Sequence, residues 1–157
     1  MGRTDSLQIG TAGEHYVAFR LAQLGFVVAI PRGGSPAVDL LVSNVGATRT
    51  LAIQVKTTEW AERKRGRGTE RRAHHLEFPL GHKATHHASD NLYYVFVDLR
   101  GRDPKLSHPV SYIVPSTEIA AYCRGWADTA AMVRWHPVVD VVQRYKENWD
   151  VLISQLG

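Results

Sequence analysis

The sequence predicts an α/β fold with a mixed central β-sheet flanked by helices, and three observations point to it. Apolar residues recur at helical spacing in residues 14–24, five short β-branched runs separated by turn signals follow, and helical patterning returns toward the carboxyl end. The resulting order is a helix, three strands, a loop, two strands and then helices, which suits a layered α/β arrangement.

Each element has a local reason. Thr11 followed three residues later by Glu14 fits a capping box, so the first helix is expected to open there, to carry Val17, Ala18, Leu21 and Leu24 on one face, and to stop at Gly25. Residues 26–30 (FVVAI) read as a strand halted by Pro31 and the PRGGSP loop. A second strand covers VDLLV from Val38, and the turn signal at residues 44–46 leads into LAIQVK, residues 51–56, so the two are expected to form an antiparallel hairpin. Residues 61–75 combine few apolar side chains with many charges and glycines, and are expected to form a basic flexible loop. Residues 76–80 offer a short edge piece, LYYVFVDL at residues 92–99 is the strongest strand signal, and VSYIV at residues 110–114 follows a turn-rich segment. A helix is expected from Pro115 and Ser116 to about Tyr122. Another is expected over residues 140–156, where Val141, Val142, Tyr145, Trp149 and Leu152 or Ile153 recur as a stripe.

Composition narrows the function classes. At 157 residues and 44% hydrophobic the chain suits one domain with a real core, residues 1–157. Cys123 is the sole cysteine, which rules out an intrachain disulfide and a cysteine-rich zinc site and makes a reducing, cytoplasmic setting the expectation. No apolar run reaches the roughly 18 residues a membrane span needs, so no membrane partner is expected. The net charge of +4 is concentrated: Arg63, Lys64, Arg65, Arg67, Arg71 and Arg72 stand against Glu70 alone, and the rest of the chain is close to neutral. Such a cluster is expected to bind nucleic acid by neutralising phosphates, and Trp60 at its root either stacks on a base or anchors the segment in the core.

The centre of LAIQVKTTEW carries the chemistry. Gln54 and Lys56 project to one face of their strand while Ile53 and Val55 project to the other, and a lysine on such a strand calls for a partner. Asp39 supplies a carboxylate at the start of the neighbouring strand. Glu14 supplies another from the helix face that carries Val17 and Leu21. A hard divalent cation is held by one or two carboxylates with neutral oxygens and water, so Asp39, Gln54, the Val55 carbonyl and Glu14 form a candidate Mg2+ or Mn2+ site. Lys56 is then placed to position the attacking water and to offset charge in phosphodiester hydrolysis.

The order Glu14 on a helix, Asp39 at a strand start and Gln54-x-Lys56 on the next strand resembles the PD-(D/E)XK nuclease superfamily, which includes Holliday-junction resolvases and restriction endonucleases. The resemblance covers residues 10–58. It implies a restriction-endonuclease-like core, a metal-dependent DNA endonuclease, and catalytic positions at Glu14, Asp39, Gln54 and Lys56. Two departures stand out: Val38 occupies a position often held by proline, and Gln54 one usually held by an acid, although Mrr-like nucleases resemble this sequence in carrying glutamine there. An amide brings no negative charge, so the alternative is a catalytically weakened nuclease fold that serves as a nucleic-acid-binding or accessory subunit. Many members form homodimers, and the apolar carboxyl-terminal helices are candidates for such a contact.

Five of the eight histidines, His74, His75, His82, His86 and His87, fall in one stretch, without the spacing of a known zinc motif. They are expected on the nucleic-acid-facing surface. PRGGSP lacks the spacing of a phosphate-cradling loop, and no serine, histidine and acid combination forms a nucleophile motif.

Overall fold

A computed structural model describes residues 3–125 and 129–157. Helix α1 (Arg3–Gln23) starts eight residues before the expected capping box, and Thr11 is an exposed residue inside it. Gly10 and Gly13 are weak helix formers and mask the signal. The tertiary stripe Ile9, Gly13, Val17 and Leu21, spaced by four and buried throughout, is what holds the helix on the sheet. Gly25 ends it as expected, at φ 90°, donating to Ala22 O while Phe26 N–H donates to Leu21 O.

The sheet contains β1 (Val27–Ala29), β2 (Leu40–Ser43), β3 (Thr50–Thr58), β7 (Leu92–Asp98) and β8 (Val110–Pro115), in the spatial order β1-β2-β3-β7-β8. β3 and β7 run parallel and every other pair is antiparallel, so the sheet is mixed and the expected β2–β3 hairpin is formed. Its turn is set by Asn44, whose Oδ1 accepts from the N–H groups of Thr48 and Arg49. Every residue of β7 is buried.

Residues 61–75 differ from the expected irregular loop. They contain β4 (Glu62–Arg65) and β5 (Arg72–Leu76), paired as an antiparallel ribbon across a short 3₁₀ turn at Gly68–Glu70. The base of the ribbon is tied to the core by Ala61 and Leu76, long-range burial that local composition does not reveal. β6 (Phe78–Pro79) then pairs with β9 (Arg134–Trp135), and α2 (Ser116–Cys123) lies where expected.

The helix expected over residues 140–156 is broken into α3 (Val139–Val142), a 3₁₀ turn at Gln143–Tyr145 and α4 (Asp150–Leu156). Glu147 is the cause: at φ 50° it donates its N–H to Ser111 O, accepts from Ser111 N–H and also from Trp149 Nε1. The break carries the chain from one layer to the other. Val142 and Tyr145 join a core with Phe78, Phe96 and Trp135 on one face of the sheet, whereas Trp149, Leu152 and Leu156 join Val17, Leu21, Ile53 and Val55 on the opposite face. Among the described residues no helix is long and apolar enough to cross a membrane.

Candidate active site

The site lies where β2 stops accompanying β3. The β2–β3 ladder ends at the Leu40–Ile53 pair, with Asp39 N–H still donating to Ile53 O at 2.8 Å. Beyond that point the Asp39 carboxylate takes over from the missing backbone: Oδ2 accepts from Val55 N–H at 2.7 Å and from Gln54 Nε2. The N–H and C=O of one strand residue point to the same edge, so the Val55 carbonyl also faces this opening. Because Gln54 spends its NH2 on Asp39, its amide oxygen remains as an acceptor.

Gln54 and Lys56 share the face opposite Ile53 and Val55, in register with Tyr94 and Phe96 of the parallel neighbour β7. Gln54 is buried and Lys56 half-buried. Glu14 lies on α1 within the electrostatic field of Asp39 and Lys56, and a close approach of the helix to β3 brings it there. A β-carbon at position 13 would stand 1.8 Å from Thr57 Oγ1 and 2.8 Å from Thr57 Cβ, so only glycine lets the helix lie this near β3.

Electrostatics ties the four side chains together. Burial raises the pKa of Glu14, and the charge of Asp39 raises it further, against His15 and Lys56. Burial also raises Asp39, opposed by the Val55 N–H, Lys56 and Gln54. Lys56 is lowered by burial and partly restored by Asp39 and Glu14. Two carboxylates that resist ionising beside each other are a place where added positive charge is stabilising. Among the described residues no group of three or more His, Cys, Asp and Glu is arranged to hold a metal. The oxygens gathered here come from two carboxylates, an amide and a backbone carbonyl, the kinds of ligand that a hard cation keeping part of its water shell takes.

The six basic residues are not part of this cluster; they lie on the β4–β5 ribbon, whose first strand begins four residues after β3 ends. The histidines divide. His74 and His75 sit on β5 with their Nδ1 atoms 3.1 Å apart, and the His75 ring packs edge-on to His136. His82 lies in a 3₁₀ turn, while His86 and His87 line a groove of about 340 Å³ with Val38 and Ala52, beside Asp39 in the chain. Trp60 is exposed, with its ring close to Gly101, rather than in the core.

Two residues of the site carry no motif. Gly13 is recognisable only through the four-residue stripe of α1, and Tyr94 only through its parallel register with Gln54. The Tyr94 phenol is pushed up to about 12, chiefly by burial and then by Cys123 and Asp39, and presents a neutral hydroxyl on this face. The larger apolar groove of about 410 Å³, lined by Ile119, Tyr122, Trp135 and Val141 among others, contains none of the four candidate residues.

No protein-family model matches the chain, and no curated protein does. Among solved structures it is similar to a bacterial homing endonuclease, I-Ssp6803I, with a TM-score of 0.56 and 16% identity over 98% of this chain and 94% of that chain, a likeness of fold that extends over nearly the whole of both.

Proposed function

We propose that the protein is a Mg2+- or Mn2+-dependent DNA endonuclease of the PD-(D/E)XK type. The observation that carries this reading is the junction of Asp39 with Val55 N–H and Gln54, beside Lys56 and within the field of Glu14. The fold shared with an endonuclease supports it. Asp39, Glu14, the Gln54 amide oxygen and the Val55 carbonyl would hold the cation. When bound, that ion supplies Lewis-acid polarisation of the phosphoryl group and makes a water acidic enough to attack.

The chain's own residues do the rest. Asp39 is fixed by two donors, so its free oxygen is directed without a rotamer search. Lys56, anchored in a largely apolar strand, orients the water and stabilises charge growing on the phosphoryl oxygens. The basic ribbon neutralises phosphates on either side of the scissile bond.

A second reading is favoured by Gln54: an amide brings one negative charge fewer than the usual acid, as in a nuclease fold retained for binding. A cleavage assay on duplex, single-stranded and branched DNA with Mg2+, Mn2+ or EDTA decides between them. Turnover should require the metal, fall to background in Asp39→Ala, and fall about 10²- to 10³-fold in Lys56→Ala. Unchanged activity in both variants rejects the assignment, and salt-sensitive binding that survives Asp39→Ala without any turnover establishes the binding subunit.

A further inference from the structure

The β4–β5 ribbon is unevenly compensated along its length. At its base Arg63 is held by Glu77 and the Trp60 carbonyl, Arg134 by Glu77, and Lys64 lies 4.0 Å from Glu62. At its tip, among the described residues, Arg65, Arg67, Arg71 and Arg72 form no ion pair with a carboxylate. Arg65 and Arg72 are moreover directly paired across the ladder, an arrangement that places like charges opposite one another and destabilises a free ribbon. His74 feels the same field: its pKa is lowered by desolvation, then by Arg65 and His75. A ribbon that concentrates guanidinium groups without carboxylate partners at its tip is stabilised there by a polyanion.

The dimensions select which polyanion. Two paired strands stand about 4.8 Å apart, and a two-stranded ribbon fits the roughly 12 Å major groove of B-form DNA. The deep, narrow major groove of A-form RNA does not admit side chains to its bases. Lys56 and Arg65 are nine residues apart, so at about 3.5 Å per residue they are separated by at most roughly 32 Å. That is within one turn of the duplex, about 34 Å.

We propose that the β4–β5 ribbon enters the major groove of B-form duplex DNA within one helical turn of the bond to be cut, with Arg65 and Arg72 directed at base edges and Arg67 and Arg71 at phosphates. The paired Arg65 and Arg72 each present a planar fork that matches guanine O6 and N7. Arg67 and Arg71 flank the 3₁₀ turn outside the paired strands, where contact with the phosphate backbone positions the ribbon without reading sequence. The endonuclease would then prefer particular duplex sequences rather than cut any DNA alike. The distance to the cut rests on the proposed nuclease function, whereas the groove contact does not.

The test is therefore binding without turnover, using the full chain in EDTA with a randomised duplex pool, followed by guanine-N7 methylation interference on the selected duplex. The wild type should select a guanine whose N7 methylation blocks binding. Arg65→Ala or Arg72→Ala should lose about 5- to 150-fold in discrimination at that guanine. Arg67→Ala and Arg71→Ala should instead weaken all duplexes alike and reduce the salt slope by about 0.9 each. Arg65→Lys, which keeps the charge and loses the fork, should keep the slope and weaken the preference. All four positions are exposed, and circular dichroism checks that each variant folds. Absence of N7 interference, a uniform loss in Arg65→Ala and Arg72→Ala, or equal competition by an A-form RNA duplex overturns the proposal. Loss of cleavage in a protein that still shows the interference pattern rejects the nuclease reading alone.

Discussion

Gln54 illustrates how one amide changes a site. Its Nε2 donates to Asp39 Oδ2, so the metal-free site has one hydrogen bond where an acid would place a second anion. Gln54→Glu removes that donor and sets two carboxylates side by side. The variant should bind Mn2+ more tightly by titration calorimetry and lose about 1–3 kcal/mol of metal-free stability in urea. Protonation adds a second residue-scale prediction. The folded-state values of Glu14 and Asp39 are raised, so between the ordinary values of 4.5 and 3.8 and the higher folded values the native state holds more protons than the unfolded one. The metal-free protein should therefore lose stability as pH rises through that window, and Asp39→Asn should flatten the slope. Chemical denaturation at a series of pH values measures it, and a wild-type slope of the opposite sign would refute the assignment of these shifts to burial.

Helix α1 matters to the site through one point of contact. Gly13 lies directly over Thr57, whose Oγ1 is buried without a hydrogen-bond partner among the described residues, and the next residue along the helix is Glu14. Gly13→Ala forces the helix away from β3, at a cost of about 1–3 kcal/mol. It should also lower turnover more than it lowers DNA affinity, because the residue displaced with it, Glu14, is a proposed cation ligand and not part of the ribbon. Urea denaturation with single-turnover and binding assays separates these effects, and an equal loss of both would argue that α1 has a purely structural role. The carboxyl-terminal segment shows another element-scale decision. Its helical stripe is real, yet Glu147 spends its backbone and side chain on Ser111 and Trp149, and one helix becomes two that serve different cores.

Across the whole molecule, the proposed cation would link the amino-terminal helix to the central hairpin, since its donors come from both α1 and the β2–β3 edge. A ligand that binds only the folded state stabilises it by about 2.7 kcal/mol at a hundred times its Kd. Mn2+ should accordingly raise the Tm of the wild type and leave that of Asp39→Ala unchanged in calorimetric scans. An equal rise in both would place the ion elsewhere.

Much of this was legible in the chain itself, wherever the free energy is local. Gly25 ends α1 through its own left-handed conformation, Asn44 closes the β2–β3 turn through its own side chain, and the alternation of LAIQVK places Gln54 and Lys56 together on any strand they form. The proximity of Asp39 follows from that hairpin. Only the tertiary structure decided the remainder, because there the stabilising partner is distant in sequence. The parallel pairing of β3 with β7 brings Tyr94 to Gln54, the sheet holds a glycine-interrupted helix from Arg3 onward, and the burial of Ala61 and Leu76 draws a charged segment into a ribbon. None of these contacts leaves a periodic trace, since each is stabilised by surface that another part of the chain provides.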